Sequence, residues 1–393
     1  MRNLLKLIPV AFLALILLSG CFKPAPQPPN TNVVPPPARV DPAIMTGASN
    51  VALRFLNSSL GWAAVNFEAG QTPHGIVIHT SDGGATWVKL NAPGLAAIRD
   101  LAFTDATHGW ALTAADAGNN KMRLAIMATG DGGQTWAQQW QQDLQQPGRH
   151  QEQFLNAKEG FALVGGSFLA TVDGGATWVQ RGAGQSLDSF SFSDRLTGWA
   201  AGANAIWHTA DGGVTWAKQW TVPDQIKGEF AYSAGVISFV SPTSGWALFS
   251  GDAAMQQTAK LVLYTSDGGK TWSVTSAFGA GSLNNFPDAP HYTMDRFLPL
   301  SATTTLLAAS PPTDYPVLYR TADHGVHWEA LSDGMSSRPG LPKGTWGDLS
   351  FTGDSEGWAA VITQAKDQAG NPDNTVALLQ TQDGGKTWTP RFP

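Results

Sequence analysis

Disulfides are excluded at the outset, because 393 residues include a single cysteine, Cys21. Zinc and iron–sulfur centres built from several cysteines are excluded with them. Charge is scarce too, at 14% of residues, with 24 basic against 30 acidic side chains. A net charge of −6 gives no long-range attraction to nucleic acid or to an anionic lipid surface, so neither is an expected partner. The apolar run Leu7 to Leu18 has twelve residues, where a bilayer span needs roughly 20. No EF-hand loop, P-loop or Gly-x-Ser-x-Gly elbow occurs, and no cofactor is expected.

What the chain has in quantity is Gly (43), Pro (25) and Trp (16), a balance that suits many short strands and turns. Arg2 and Lys6 ahead of Leu7–Leu18 read as an export signal. The following Leu18-Ser19-Gly20-Cys21 resembles the bacterial lipoprotein box, which implies cleavage before Cys21 and a diacylglycerol on its sulfur. Eight prolines then fall between Phe22 and Met45, the composition of a polyproline II-like tether of up to about 60 Å. The expected organisation is a signal peptide at 1–20, a lipidated cysteine and linker at 21–46, and a folded domain at 47–393.

One motif recurs seven times in that domain. Thr80-Ser-Asp82-Gly-Gly84-Ala-Thr-Trp87 returns around Asp131 and Trp136, Asp173 and Trp178, Asp211 and Trp216, Asp267 and Trp272, Asp323 and Trp328, and Asp383 and Trp388. The sixth copy is degenerate, with His324 and His327 inside it. A Gly-Trp-Ala element precedes most copies, at Trp62, Trp110, Trp199, Trp246 and Trp358, with Phe161 in the Trp place once. Upstream again lies a short apolar segment such as Leu101-Ala-Phe103. Each unit reads as four strands, A to D, and the period is that of a propeller. The chain is therefore expected to be all-β, a seven-bladed β-propeller of four antiparallel strands per blade. Approximate blades are 50–91, 97–141, 150–182, 187–221, 229–277, 291–332 and 345–391.

The motif suits a hairpin turn: its Asp accepts amide hydrogen bonds, its second Gly supplies φ > 0, and its Trp packs between sheets. A His324-x-x-His327 metal site is the sharper reading of the degenerate copy, and substituted turn residues the plainer one. The pattern resembles the Asp-box of BNR-type repeats, found in sialidases, xyloglucanases and sortilin-like propellers. With the preceding Gly-Trp-Ala it is most similar to the photosystem II stability/assembly factor family and its non-photosynthetic bacterial relatives. That resemblance covers about residues 50–393, implies the fold, and makes the Asp-boxes structural.

Alternating strands put the A–B and C–D turns on one face, and the B–C and D–A connections on the other. The second face carries the irregular segments Glu68–His74, Gly251–Gln257, Ala277–Pro290, Asp333–Lys343 and Lys366–Asn374, where function is expected to lie. The starts of the A strands should ring the channel mouth on that face with Arg99, Asp100, Glu152, Asp188, Glu229, Asp295, Arg296 and Asp348. The Gln-rich stretch Gln134–Gln153 reads as an outer strand plus a solvated loop.

The expected function is a non-catalytic, membrane-anchored binder of a protein partner in the bacterial envelope, assisting assembly or stability of a complex. In a phototroph the site would be the thylakoid lumen. The competing reading is a cell-surface protein that binds or hydrolyses glycans. Against it, Arg54 lies in Leu-Arg-Phe-Leu without the Arg-Ile-Pro segment of sialidases, and xyloglucanases pair two propellers where this chain has one.

Overall fold

The computed structural model describes residues 40–392 except 68–73, 91, 93–94, 146–147, 183–185, 225–231, 255–256, 279–293, 311–314, 334–336 and 364–373. Residues 1–39, with Cys21 and most of the linker, lie outside the described residues. The described strands form seven four-stranded sheets, each built from consecutive antiparallel strands. The inner A strands are Ala48–Phe55, Ala97–Phe103, His150–Phe154, Ser189–Phe192, Tyr232–Phe239, Met294–Pro299 and Thr345–Phe351. Each lies against the A strands of the two adjacent blades, and that of blade 7 meets that of blade 1. This is a closed seven-bladed propeller.

The seams between blades explain the Gly-Trp-Ala element. The last residue of most A strands is Phe, paired in register with the Gly that opens strand B, as Phe55 with Gly61 and Phe103 with Gly109. The ring lies directly over that Gly: a Cβ on Gly109 would sit 2.4 Å from Phe103. The strand B Trp of one blade then stacks flat on the Phe of the next. Trp62 lies 3.8 Å from Phe103, Trp110 3.5 Å from Phe154, Trp199 3.5 Å from Phe239, and Trp358 3.8 Å from Phe55. The Asp-box Trp meets the same Phe edge to face, as Trp136 on Phe103 at 84°. Such aromatic pairs are worth about 0.5–1.5 kcal/mol each beyond burial.

Blade 6 breaks this rule at every member together. Its strand A ends in Pro299, opposite Thr305 instead of Gly, and Leu306 stands in the Trp place. With no Phe ring overhead, a side chain at 305 has room.

Every seam also carries one hydrogen bond from a blade to the rim of its successor. The indole Nε1 groups of Trp62, Trp110, Trp199 and Trp358 donate to the carbonyls of Gly132, Gly174, Gly268 and Gly83, the first Gly of the following Asp-box, at 2.9–3.0 Å. Blades 3 and 6 lack that Trp. There Arg181 donates to Gly212 (2.8 Å) and Arg320 to Gly384 (3.3 Å). Blade 5 reaches the A–B turn of blade 6, Trp246 to Ser301 at 3.0 Å, beside a box whose first Gly is replaced by His324.

The Asp-boxes are alike in detail. Thr80 Oγ1 donates to Asp82 and accepts from Gly84 N–H, while Asp82 accepts from the amide and hydroxyl of Thr86 at 2.8 and 2.7 Å. Both glycines have positive φ, Gly83 at 71° and Gly84 at 90°, so the first Gly is conformationally required as well as the second. His324 accepts the same region at 65° in blade 6. His327 takes the Thr86 role through its amide and its Nδ1, both on Asp323. The two histidines are thus substituted turn residues, and no group of three or more metal-ligating side chains occurs among the described residues.

One sequence expectation changes. Gly251–Gln257 is largely a hairpin extension, because strands Gly245–Ala254 and Gln257–Thr265 run through it. Pro42–Met45 forms a 3-10 turn and adds no strand to blade 7, although Gly47 N–H donates to Asn374 C=O at 2.7 Å.

Replacing Trp358 by Phe keeps the stack but removes the bond to Gly83. We expect a loss of about 1 kcal/mol, and a similar loss for Arg320→Met, measured by urea unfolding. Gly109→Ala should cost about 1–3 kcal/mol through the Phe103 clash, whereas Thr305→Ala should cost under 1.

Candidate functional site

Inner strands present an unpaired edge to the channel, and the sequence covers most of it with side chains. In blade 3 the amides of Gln151 and Gln153 each bond both the N–H and the C=O of Phe190 and Phe192 in blade 4, at 2.8–3.0 Å. These two glutamines therefore belong to an inner strand and not to a solvated loop, while Ala137–Leu144 is indeed an outer strand. Ser189 and Ser191 serve blade 5 in the same way, accepting from Ile237 and Phe239. Between blades 7 and 1, Asp348 accepts from Leu53 N–H (2.8 Å) and Ser350 from Phe55 N–H.

The A–B turns and Asp-boxes share a face, joined by bonds such as Gly83 N–H to Ser59 C=O and Gly212 N–H to Leu196 C=O. The starts of the A strands lie at the opposite end. Of the residues expected there, Asp348 is tied to Leu53 and pairs with Arg296 at 2.9 Å. Asp188 accepts from Gly235 N–H at 3.1 Å and lies 3.8 Å from Arg149. Arg99 is exposed. Asp295 lies in the inner strand of blade 6, and Glu229 lies outside the described residues. Of the irregular segments, 68–73, 279–290, 334–336 and 366–373 also lie outside them.

Asp100 and Glu152 differ from the others. Both line a channel cavity of about 550 Å³, together with Arg54, Gln151, Gln153 and Ser191. Glu152 pairs in register with Ala162. At the equivalent position the other six inner strands carry Leu53, Leu101, Phe190, Ile237, Phe297 and Leu349. The carboxyl thus replaces a core hydrophobe. It is 8% exposed, and neither of its oxygens has a hydrogen-bond partner of ordinary geometry. Burial, then repulsion from Asp100, raises its pKa well above the usual carboxylate value. Asp100 bonds the Leu101 amide at 2.9 Å, and burial followed by repulsion from Asp348 pushes its pKa up to about 6. Arg54 lowers both, though it makes no ion pair with either among the described residues.

The seam between blades 2 and 3 therefore holds two carboxyls that resist simultaneous ionisation. Their chemical capacities are to exchange a proton or to hold a cation. Sequence reasoning named both acids but missed Arg54 as a wall of the same cavity. A charged residue alternating with apolar ones in Leu53-Arg54-Phe55 was the available signal.

No protein-family model matches the chain, and no curated protein sequence matches it. Solved structures do. YCF48 from Cyanidioschyzon merolae aligns over 86% of this chain and 96% of its own, with TM-score 0.54 and 14% identity. A YCF48 bound to D1 peptide aligns over 86% and 94%, with TM-score 0.50 and 15% identity. A polysaccharide lyase, the PL25 ulvan lyase bound to a sugar, aligns over 88% and 96%, with TM-score 0.52 and 10% identity. This chain shares the propeller fold of these proteins.

Glu152 titrates higher folded than unfolded, so its contribution to stability is full below about pH 4.5 and is lost as pH rises through the elevated value. Glu152→Gln should therefore gain on the native protein between about pH 5 and pH 8, by about 1.4 kcal/mol per unit of elevation. Paired urea titrations at the two pH values check this; an unchanged difference contradicts it.

Proposed function

We propose that this chain is a non-catalytic binding propeller, tethered outside the cytoplasm through a lipid on Cys21, that holds a protein partner at the rim opposite its Asp-boxes. One observation carries the choice over hydrolysis. Asp100 and Glu152 project from adjacent inner strands, so they share one wall of the cavity. A glycosidase pair must face each other across the scissile bond, with the sugar between them. Two other rim carboxyls, Asp188 and Asp348, accept bonds from neighbouring strands and so serve the ring itself.

Support of a weaker kind comes from the fold shared with YCF48, which has been captured with a peptide. The lyase and its relatives support the second reading, a glycan ligand, and the elevated carboxyls are the feature that favours it.

Crosslinking of the full chain in its native membranes, with wild type, Arg99→Glu and Val214→Glu, separates these readings. Arg99 stands exposed on the A-strand rim and Val214 exposed on an Asp-box. We expect a protein adduct that is lost with Arg99→Glu and kept with Val214→Glu. Adducts lost with Val214→Glu instead, or recovery of glycans with release of reducing ends, would overturn the proposal.

A further inference from the structure

We infer that the cavity at the seam of blades 2 and 3 is a receptor for a single organic cation, an ammonium or guanidinium group held between Asp100 and Glu152. The first support is register. Six inner strands place Leu, Ile or Phe where blade 3 places Glu152, so the fold has no need of a carboxyl there. A buried carboxyl without a partner costs stability, and the packing around it offers nothing in return. Both its oxygens are buried without a hydrogen bond of ordinary geometry, the Leu112 amide being the nearest main-chain donor to act on them, and Glu152 is among the residues lining the cavity.

The second support is the neighbour. Strand A of blade 2 brings Asp100 to the same cavity, close enough that its charge disfavours ionisation of Glu152. Arg54 faces both from blade 1, and Arg296 and Asp348, already paired with each other, face Asp100. With one proton retained by the two acids, their charge and that of Arg54 cancel. Entry of a monocation with release of that proton leaves the sum unchanged. The exchange is electroneutral, which is what a low-dielectric cavity requires.

The geometry also bounds the ligand. About 550 Å³ accommodates a lysine- or arginine-sized chain but not a folded segment. Ser191, Gln151 and Gln153 add polar walls, and Phe154, Ile237 and Phe297 add apolar ones to meet an alkyl stem. The cation can come from a side chain of a docked protein or from a free amine. The first source rests on the protein-binding reading above; the cavity chemistry does not.

Calorimetry on the full chain tests the inference with three probes: blocked lysine, blocked norleucine as its uncharged chain-matched control, and 1-aminobutane as a free monoamine. At about pH 8 we expect saturable binding of the cationic probes only. Binding should release protons, read from two buffers of different ionisation enthalpy. Affinity should fall about tenfold or more at pH 5, where protons compete, and in Glu152→Gln. Tighter binding of blocked lysine assigns the peptide source, and tighter binding of 1-aminobutane the free amine; either supports the site. Failure of both amines to bind, equal binding of norleucine, or unchanged affinity in Glu152→Gln would overturn it. Glu152→Leu installs the residue of the other blades and should fold at least as stably as wild type; if it does not fold, the claim that packing has no use for the carboxyl falls. Amine binding that survives alongside partner capture indifferent to Arg99→Glu would remove the protein-binding reading and leave the cavity assignment standing.

Discussion

The whole ring depends on one contact repeated around it, a Trp laid flat on the Phe of the next blade. Sheets packed face to face slide unless something fixes their offset. Here the stack fixes the spacing, and the indole N–H fixes the rotation by reaching one carbonyl on the neighbour's rim. The glycine below the Phe is a consequence of the same contact, since the ring occupies the space a Cβ would fill. Phe, Gly and Trp, which recur in most blades, thus reduce to one packing solution.

That solution accounts for what was legible. A motif needing Asp, two positive-φ glycines and Trp in fixed order can be read from the chain, because all its members interact within eight residues. Seam partners are different. Arg181 and Arg320 replace missing indoles from other strands, Asp-box neighbours 31 and 64 residues away, and no local pattern announces that. Pro299, Thr305 and Leu306 look like independent lapses in the sequence and become one event once their register is known. The candidate site was half legible for a related reason. Glu152 could be named as a charged residue near an A-strand start, but its burial follows from strand phase, and a shift of one residue would have turned it to the opposite side.

The channel wall obeys a second rule. Edge strands invite unwanted pairing, and here Gln, Ser and Asp side chains act as the missing neighbour, bonding the free main chain of the next blade. Those substitutes are committed first to the ring, and a ligand could use only the donors they have left. The seam of blades 2 and 3 is the place where acids line the wall and one of them has no hydrogen bond of ordinary geometry, which is why the functional reading concentrates there.

The bond from Trp358 to Gly83 joins residues 275 apart, whereas the equivalent bond from Trp62 to Gly132 joins residues 70 apart. Chain entropy grows only with the logarithm of that separation, so shutting the ring costs only about 1 kcal/mol more than shutting an ordinary seam. The penalty for circularity is therefore mainly one of time. Six seams can form between sequence neighbours as the blades collapse, and the seventh must wait until an arc of blades has curved far enough to meet its own beginning.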